Sequence, residues 1–302
     1  MRALIALLTL SFALSANAAE KLKVVTSFSI LADITQQIGG DKLELRNLVG
    51  ADADAHVYQP SAEDAKAVFN ADLIIANGLG FEPWLDRLIA SSEAPGTRID
   101  ASAGVLPLML DEDGHQVADP HAWQNLANAE IYVQNIAKAL SKADPSHAAH
   151  YAERREAYLA EIRALLGEAK AGLGQLPPAQ RSIITSHDAF AYLGQAYGLN
   201  FIAPQGLSTE DEPSAAEVAA LIRQIRADGV RAVFVENIRD PRLIQQIAAE
   251  GGAKIGGTLY SDALASAGPA SSYLGMFKYN LDTLLAALRP LATGDNYRSP
   301  AE

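Results

Sequence analysis

The sequence predicts an α/β fold in which two parallel-sheet lobes are joined by one long, rigid helix. Short apolar runs typical of buried strands alternate with helical periodicity in both halves of the chain, which favours parallel sheets with right-handed crossovers. A long amphipathic pattern separates the halves, and glycines and prolines at 172–178 mark a new start after it. The predicted organisation is a signal peptide at 1–18, a first lobe at 19–144, a linking helix at 145–174 and a second lobe at 175–302.

The N-terminus has the three parts of a secretory signal peptide. Arg2 provides a positive charge, the apolar run at 3–14 is too short to span a bilayer, and Ala16-Asn17-Ala18 has the small residues of a cleavage site. We therefore expect cleavage near Ala18 and export to the periplasm. Because no cysteine follows this site and no second long apolar run occurs, we expect a protein without a lipid or membrane anchor.

The first lobe is predicted to begin with a strand, a helix, a strand, a helix and a strand. Gly39-Gly40 ends the first helix, and Ser61 with Asp64 three residues later forms a variant of the capping box that begins the second. The predicted strands are 23–27, 43–49, 72–76 and 98–100, and the predicted helices are 30–38, the helix after Ser61, and 125–140.

The linking helix is predicted between Pro145 and Leu173, with Ser146 as its N-cap. Its apolar residues recur at three- and four-residue intervals and define one face, while charged residues occupy the other. At a rise of 1.5 Å per residue this helix would be roughly 40 Å long, about the span of a small two-lobed protein. The alternative is an ordinary surface helix inside a single large domain.

The second lobe is predicted to repeat the alternation of the first without an obvious sequence repeat. Gly229 ends one helix, Pro241 lies in the first turn of the next, and Pro290 stops the last. The predicted strands are 182–185, 201–203, 231–236 and 254–259, and the predicted helices are 189–197, 215–227, 241–250 and 273–288.

The composition restricts the chemistry of any site. The chain contains no cysteine, which excludes disulfides and thiolate ligands, so a metal site must use histidines and carboxylates. The formal net charge of −12 argues against nucleic acid or an anionic membrane as a partner and suits the attraction of cations. Simple solubility explains the same charge equally well.

Four candidate metal ligands follow the ends of predicted strands. His56 and His121 follow strands of the first lobe, and His187 and Asp262 follow strands of the second. Ligands of such sheets collect beyond the carboxyl ends of the strands, so two facing lobes would bring all four residues to one cleft between them. Three imidazoles and a carboxylate are a good set for Zn²⁺. Any one of these histidines alone would more often be structural or exposed, and His147 and His150 are expected at the surface.

An acidic loop precedes His121. It contains no apolar periodicity to fix it, so we expect it to move, to raise the local cation concentration and to capture metal for the site. The alternative is a solvated connector. The residues of this predicted capture loop are Asp111, Glu112, Asp113, His115 and Asp119.

These motifs together resemble the zinc and manganese solute-binding proteins of bacterial ABC importers, which have two α/β lobes joined by one long helix. The matching motifs are VVTSFSILADI, HVYQPSAED, NGLGFEPWLDRL, DPHAWQN, TSHDAFAYL, STEDEPS and LYSDAL. The resemblance implies that the ligands are His56, His121, His187 and Asp262. It also implies a monomer that delivers Zn²⁺ to an inner-membrane ABC permease. The manganese branch usually has a carboxylate at the position of His187, so a third histidine favours zinc.

Three alternatives remain at this point. The chain could be a manganese- or iron-binding member of the same family. A zinc hydrolase is a second alternative, although Asp262 would fill the open position that a catalytic zinc needs and no HExxH motif supplies a base. A surface adhesin is disfavoured by the missing anchor.

Zinc-branch members often carry a His-rich insertion before the second ligand, whereas this chain has only His115 there, which suggests a separate periplasmic zinc chaperone or direct loading.

Overall fold

The computed structural model describes residues 20–289, except positions 113, 211 and 231. The predicted signal peptide and Asp113 therefore lie outside the described residues. The fold consists of two four-stranded parallel sheets, a small antiparallel hairpin and one long helix between the sheets. Within the described ranges, no helix is both long enough and apolar enough to cross a membrane. The α/β fold class with two lobes is confirmed, while the exact boundaries of the lobes stay predictions.

The two central strands of the first sheet are apolar and almost fully buried, whereas its two edge strands are partly exposed. Its spatial order is second, first, third and fourth along the chain, and all pairs are parallel, with Val24 opposite both Leu45 and Leu73. Its strands are β1 (Leu22–Phe28), β2 (Leu43–Val49), β3 (Leu73–Ala76) and β4 (Thr97–Asp100), and its helices are α1 (Ser29–Gly39), α2 (Ala62–Phe69) and α3 (Pro83–Ser92).

Local sequence signals set the ends of two helices of this lobe, α2 and α3. The capping box of α2 forms as predicted, because Ser61 Oγ accepts from the Asp64 amide and the Asp64 carboxylate accepts from the Ser61 amide. Helix α3 was not predicted, since it begins at Pro83 after Glu82, which provides no side-chain cap. It ends at Glu93, whose positive φ of 52° closes the last turn.

The acidic segment before His121 is ordered, contrary to the prediction of a loop without regular structure. It forms an antiparallel hairpin of β5 (Met109–Glu112) and β6 (His115–Ala118). The turn is fixed by Gly114, which has a φ of 82° and whose amide donates to Asp111 Oδ1. Helix α4 (Leu126–Ala143) follows, with Asn125 as its N-cap.

The linking helix α5 (Ala148–Gly174) has 27 residues and is about 40 Å long. Its start differs from the prediction: Pro145–His147 form a 3₁₀ turn, and Ser146 donates to Asp144 instead of capping the helix. The buried face of α5 packs against α1 and α4, and also against α9, the last helix of the second lobe (Tyr273–Leu288). One helix therefore contacts elements of both lobes.

The second sheet has the same strand order as the first, and all its pairs are parallel. The predicted strands and helices agree with the structure to within two residues at each end. The strands are β7 (Ser182–Ile184), β8 (Asn200–Ile202), β9 (Ala232–Glu236) and β10 (Lys254–Leu259), and the remaining helices are α6 (Ala191–Tyr197), α7 (Ala215–Asp228) and α8 (Arg242–Gly251).

One continuous apolar core joins the two lobes. It includes Trp123 and Tyr132 from the first lobe and Phe234 and Tyr273 from the second, all fully buried. A smaller core cluster lies under the second sheet, around Val233. The main core therefore crosses the boundary between the lobes, and side chains of both lobes pack together in it.

Candidate metal site

The four candidate ligands, His56, His121, His187 and Asp262, converge in the cleft between the lobes. One potential ligand atom from each lies within 4.8 Å of all the others. Asp262 Oδ2 is 3.1 Å from His56 Nε2 and 3.1 Å from His187 Nε2, and His121 Nε2 is 3.3 Å from His56 Nε2. The structure thus brings together the complete set that was selected from strand ends.

Each ligand is held by the segment that follows a strand. His56 lies beyond β2, where Asp54 Oδ1 accepts from the His56 amide at 2.9 Å. His121 follows Pro120 and precedes Trp123, whose indole N–H donates to the Ser261 carbonyl at 2.9 Å. Since Ser261 adjoins Asp262, this bond fixes the ligand segments of the two lobes against each other.

A carboxylate faces Nδ1 of two of the three histidines. Asp119 Oδ1 lies 2.8 Å from Nδ1 of His121, and Glu236 Oε2 lies 2.7 Å from Nδ1 of His187. Glu236 Oε1 also accepts from the amides of Ser186 and His187, at 2.7 and 3.0 Å. A carboxylate at Nδ1 keeps the proton on that nitrogen and leaves Nε2 free to bind a metal ion.

Sequence reasoning did not assign these two orienting roles. Asp119 was expected in the mobile capture loop, yet it is fully buried beneath His121. The sequence predicts Glu236 only as the last residue of a strand. The structure shows the reason, because β9 lies next to β7 in the sheet and its last residue lies beside the segment that carries His187, an adjacency that the sequence does not show.

The site is almost closed to solvent. The side chains of His121, His187 and Asp262 are completely buried, and that of His56 is 6% exposed. The Phe81 ring packs edge-on against His56, with centroids 4.7 Å apart, and also contacts His121. His56 is therefore the ligand closest to an entry route, while aromatic packing excludes water from the other side.

The electrostatics favour an ionised carboxylate beside imidazoles. Burial opposes the charged form of Asp262, yet His121 and His187 outweigh it and hold the Asp262 pKa well below its usual value. Burial likewise opposes a charged His187, but the carboxylates of Glu236 and Asp262 raise the His187 pKa well above its usual value. For His56 burial dominates and lowers the pKa, which leaves a neutral imidazole.

Oδ1 of Asp262 is among the buried side-chain oxygens of the site that have no hydrogen-bond partner in the described part of the chain. Asp262 Oδ1 lies 3.7 Å from His121 Nε2, too far for a hydrogen bond. A buried, unsatisfied carboxylate oxygen is costly in a protein interior unless a further group binds it. This oxygen, together with three Nε2 atoms aimed at one centre, fits a metal ion.

The members of the predicted capture loop have different positions. Asp111 and His115 are exposed on the hairpin, Glu112 is half-buried and accepts from the Leu207 amide at 2.8 Å, and Asp113 is not described. The expectation that this whole loop moves freely is wrong for Glu112 and Asp119, because both carboxylates are bound. The other histidines, His147 and His150, are half-buried, and contact Asp144 and the Gly39 carbonyl, respectively.

The chain resembles known metal-binding proteins over nearly its whole length. Residues 24–287 match the family described as zinc-uptake complex component A, periplasmic. The iron-binding protein YfeA of Yersinia pestis is 35% identical over 271 residues, covering 89% of this chain and 86% of that protein. The manganese ABC transporter substrate-binding lipoprotein PsaA of Streptococcus pneumoniae is 34% identical over 282 residues, covering 91% of each.

A solved structure agrees with the two-lobed fold. The periplasmic zinc binding protein TroA from Treponema pallidum superimposes with a TM-score of 0.85 at 29% identity, covering 90% of this chain and all of that one. Both the sequence match and the fold extend across the two lobes. The chain therefore belongs to the periplasmic zinc-uptake component A family, the metal-binding substrate-binding proteins of ABC importers.

Proposed function

We propose that this protein binds one Zn²⁺ ion in the periplasm through His56, His121, His187 and Asp262 and delivers it to an inner-membrane ABC permease. The observation that carries the proposal is the convergence of these four side chains within 4.8 Å in a buried cleft. Zn²⁺ is the cargo of such a protein. Four ligands would complete a tetrahedral shell and leave no open position for a reacting water, so the proposed role is binding rather than hydrolysis.

The choice of zinc rests on the donor atoms. Three imidazoles with one carboxylate suit Zn²⁺ better than Mn²⁺, which prefers oxygen ligands, and zinc also binds nitrogen sites more tightly than manganese or ferrous iron. The named relatives include iron, manganese and zinc binders, so a manganese- or iron-binding role is the alternative. His187 is the residue on which the distinction depends.

Native mass spectrometry and competition titrations test this proposal. Protein purified without chelator should carry one zinc ion per chain, and Zn²⁺ should displace Mn²⁺ at equal concentrations. His187→Glu, which adds a hard oxygen ligand, should shift the preference toward Mn²⁺. Equal or tighter Mn²⁺ binding by the unaltered protein would reject the zinc assignment.

The finer features of delivery are also part of the proposal. We propose that the signal peptide is cleaved near Ala18 and that the mature chain acts as a monomer. A periplasmic zinc chaperone is a proposed partner, since the segment before His121 contains only one histidine, His115. Light scattering of the mature protein tests the monomer, and a dimer at micromolar concentration would reject it.

A further inference from the structure

Residues 206–209 of the second lobe, called here the 206–209 segment, are held by two side chains of the first lobe. The Leu207 amide donates to Glu112 Oε1 at 2.8 Å, and the Thr209 hydroxyl donates to Asp54 Oδ2 at 2.6 Å. Glu112 belongs to the hairpin that precedes His121, and Asp54 lies two residues before His56. Both contacts therefore begin on segments of the first lobe that lead into a candidate ligand.

The same segment is connected to the ligand of the opposite lobe. The Gly206 carbonyl accepts a hydrogen bond at 3.2 Å from the amide of Asp188, the residue that directly follows His187. The residue before the segment, Gln205, pairs with His187 in an isolated β-bridge. Asp54 in turn accepts from the His56 amide through its other oxygen. A continuous set of hydrogen bonds thus runs from His56, across the cleft, to the backbone around His187.

The two hydrogen bonds have buried donor residues and charged acceptors, which makes them strong. Leu207 and Thr209 are only 5% and 2% exposed, so their donors have little access to water. Both acceptors are carboxylates, and hydrogen bonds to charged groups are stronger than neutral ones. Glycine at 206 permits the close approach, because a Cβ there would lie 2.6 Å from Glu112 Oε1.

We propose that Asp54 and Glu112 are positioning residues that clasp the 206–209 segment across the cleft and slow the release of the bound metal ion. The inference rests on the proposed function. The ligands come from both lobes, so release requires the lobes to separate locally, which breaks both contacts. On this proposal, loading begins from a more open cleft in which the two contacts are not yet made. The clasp therefore acts on the dissociation rate more than on the association rate.

Stopped-flow measurements with Zn²⁺ test the clasp at each end separately. Thr209→Val removes the donor while keeping the shape, and Glu112→Ala removes the acceptor. Each should accelerate zinc dissociation into excess chelator by about tenfold or more, as expected for loss of a hydrogen bond to a charged group, and should change the loading rate less than about twofold. The matched controls are Thr209→Ser, which keeps the hydroxyl, and Glu210→Gln, which removes an exposed charge of the neighbouring residue; both should behave as the unaltered protein.

The two rates distinguish a clasp from a role of Glu112 in metal capture. Unchanged dissociation in both Thr209→Val and Glu112→Ala would overturn the clasp, and so would slower loading with unchanged dissociation in Glu112→Ala, which would assign Glu112 to capture. Glu112→Gln keeps an acceptor oxygen and should fall between Glu112→Ala and the unaltered protein, even if the alanine variant folds poorly. An unaltered protein that binds no zinc would instead reject the proposed function.

Discussion

Two buried carboxylates orient the rings of two of the three histidines of this site. Asp119 and Glu236 lie at Nδ1 of His121 and His187, so the Nε2 atoms of both rings face the centre. Glu236 is the more constrained of the two, because its other oxygen accepts from two backbone amides of the segment that carries His187. Its position is therefore fixed before any metal ion arrives.

Glu236→Gln is expected to weaken zinc binding by about 10- to 100-fold. The amide oxygen of glutamine would stay on the two backbone donors, so its NH₂ group would face Nδ1 of His187. That nitrogen would then have to accept, and the proton would move to Nε2, the atom that binds metal. Isothermal titration with a competing chelator measures the change. Glu210→Gln is the matched surface control, and equal affinities of the two variants would contradict this role.

Zinc affinity should fall as the pH falls from 8 to 5. In the metal-free protein the pKa of His187 is raised well above its usual value, so near neutral pH the metal ion must displace a proton from it. The same raised pKa stabilises the metal-free fold at low pH, and that contribution is lost as the pH rises through the folded-state pKa. As the pH rises and this proton is lost, the zinc-induced stabilisation therefore becomes larger. Calorimetric unfolding with and without zinc at several pH values measures this, and a stabilisation that is constant from pH 8 to 5 would contradict it.

The ligands themselves were predictable from the sequence, but their supporting groups were not. His56, His121, His187 and Asp262 each follow a recognisable strand, so the parallel topology places two of them at the edge of each sheet, and facing lobes bring the two edges together. The roles of Asp119 and Glu236 depend on which side chain turns toward which ring, and that is decided by packing. The local sequence does not indicate such a contact, because His187 and Glu236 are 49 positions apart in the chain.

At the scale of elements, the hairpin of β5 and β6 is where the sequence was least informative. Its strands are only four residues long and mostly exposed, so they show no clear alternation of apolar and polar residues. The pairing depends on the turn at Gly114 and on the contact of Glu112 with the second lobe. By contrast, Lys254–Leu259 and Tyr273–Leu288 begin and end as predicted, since a glycine or a proline lies close to one end of each.

A role in metal capture stays a prediction for the exposed hairpin residues Asp111 and His115. Replacing Asp111 with asparagine, which keeps the acceptor for the Gly114 amide, and His115 with alanine should slow zinc loading at low salt without changing the dissociation rate, because the lost charge and imidazole act before the site closes. Added salt should reduce the difference by screening. Stopped-flow loading at two ionic strengths measures the effect. Val117→Ala on the same hairpin is the control. Identical loading rates of the unaltered protein and the double variant at low salt would indicate that the hairpin is only a solvated connector.

At the scale of the whole molecule, the two lobes depend on a shared core and on contacts across the cleft. The long helix α5 packs on elements of both, as its predicted apolar face suggested, although its first turn begins later than expected. The identical strand order of the two sheets could not be seen in the sequence, because no repeat is detectable. Their relative placement follows from side chains that pack between them, such as Trp123 and Tyr273, whose hydroxyl donates to the Trp123 carbonyl.

Zinc should raise the unfolding temperature of the whole protein in one transition. Ligands from both lobes bind only in the folded state, and a thousandfold excess over the dissociation constant would contribute about 4 kcal/mol to the free energy of unfolding. Differential scanning calorimetry measures the shift. His56→Ala should abolish most of it, whereas His147→Ala, which removes a histidine outside the site, should retain it. Equal shifts in the two variants would mean that zinc stabilises the fold from another position.

X-ray absorption at the zinc edge tests the central claim most directly. Protein loaded with one equivalent of Zn²⁺ should show four nitrogen and oxygen ligands at about 2.0–2.1 Å, with outer-shell scattering from three imidazoles. His187→Ala should remove one imidazole from that signal and leave the others. A spectrum with fewer than three imidazoles in the unaltered protein, or with a six-coordinate oxygen shell, would contradict the assignment of His56, His121, His187 and Asp262 as the zinc ligands.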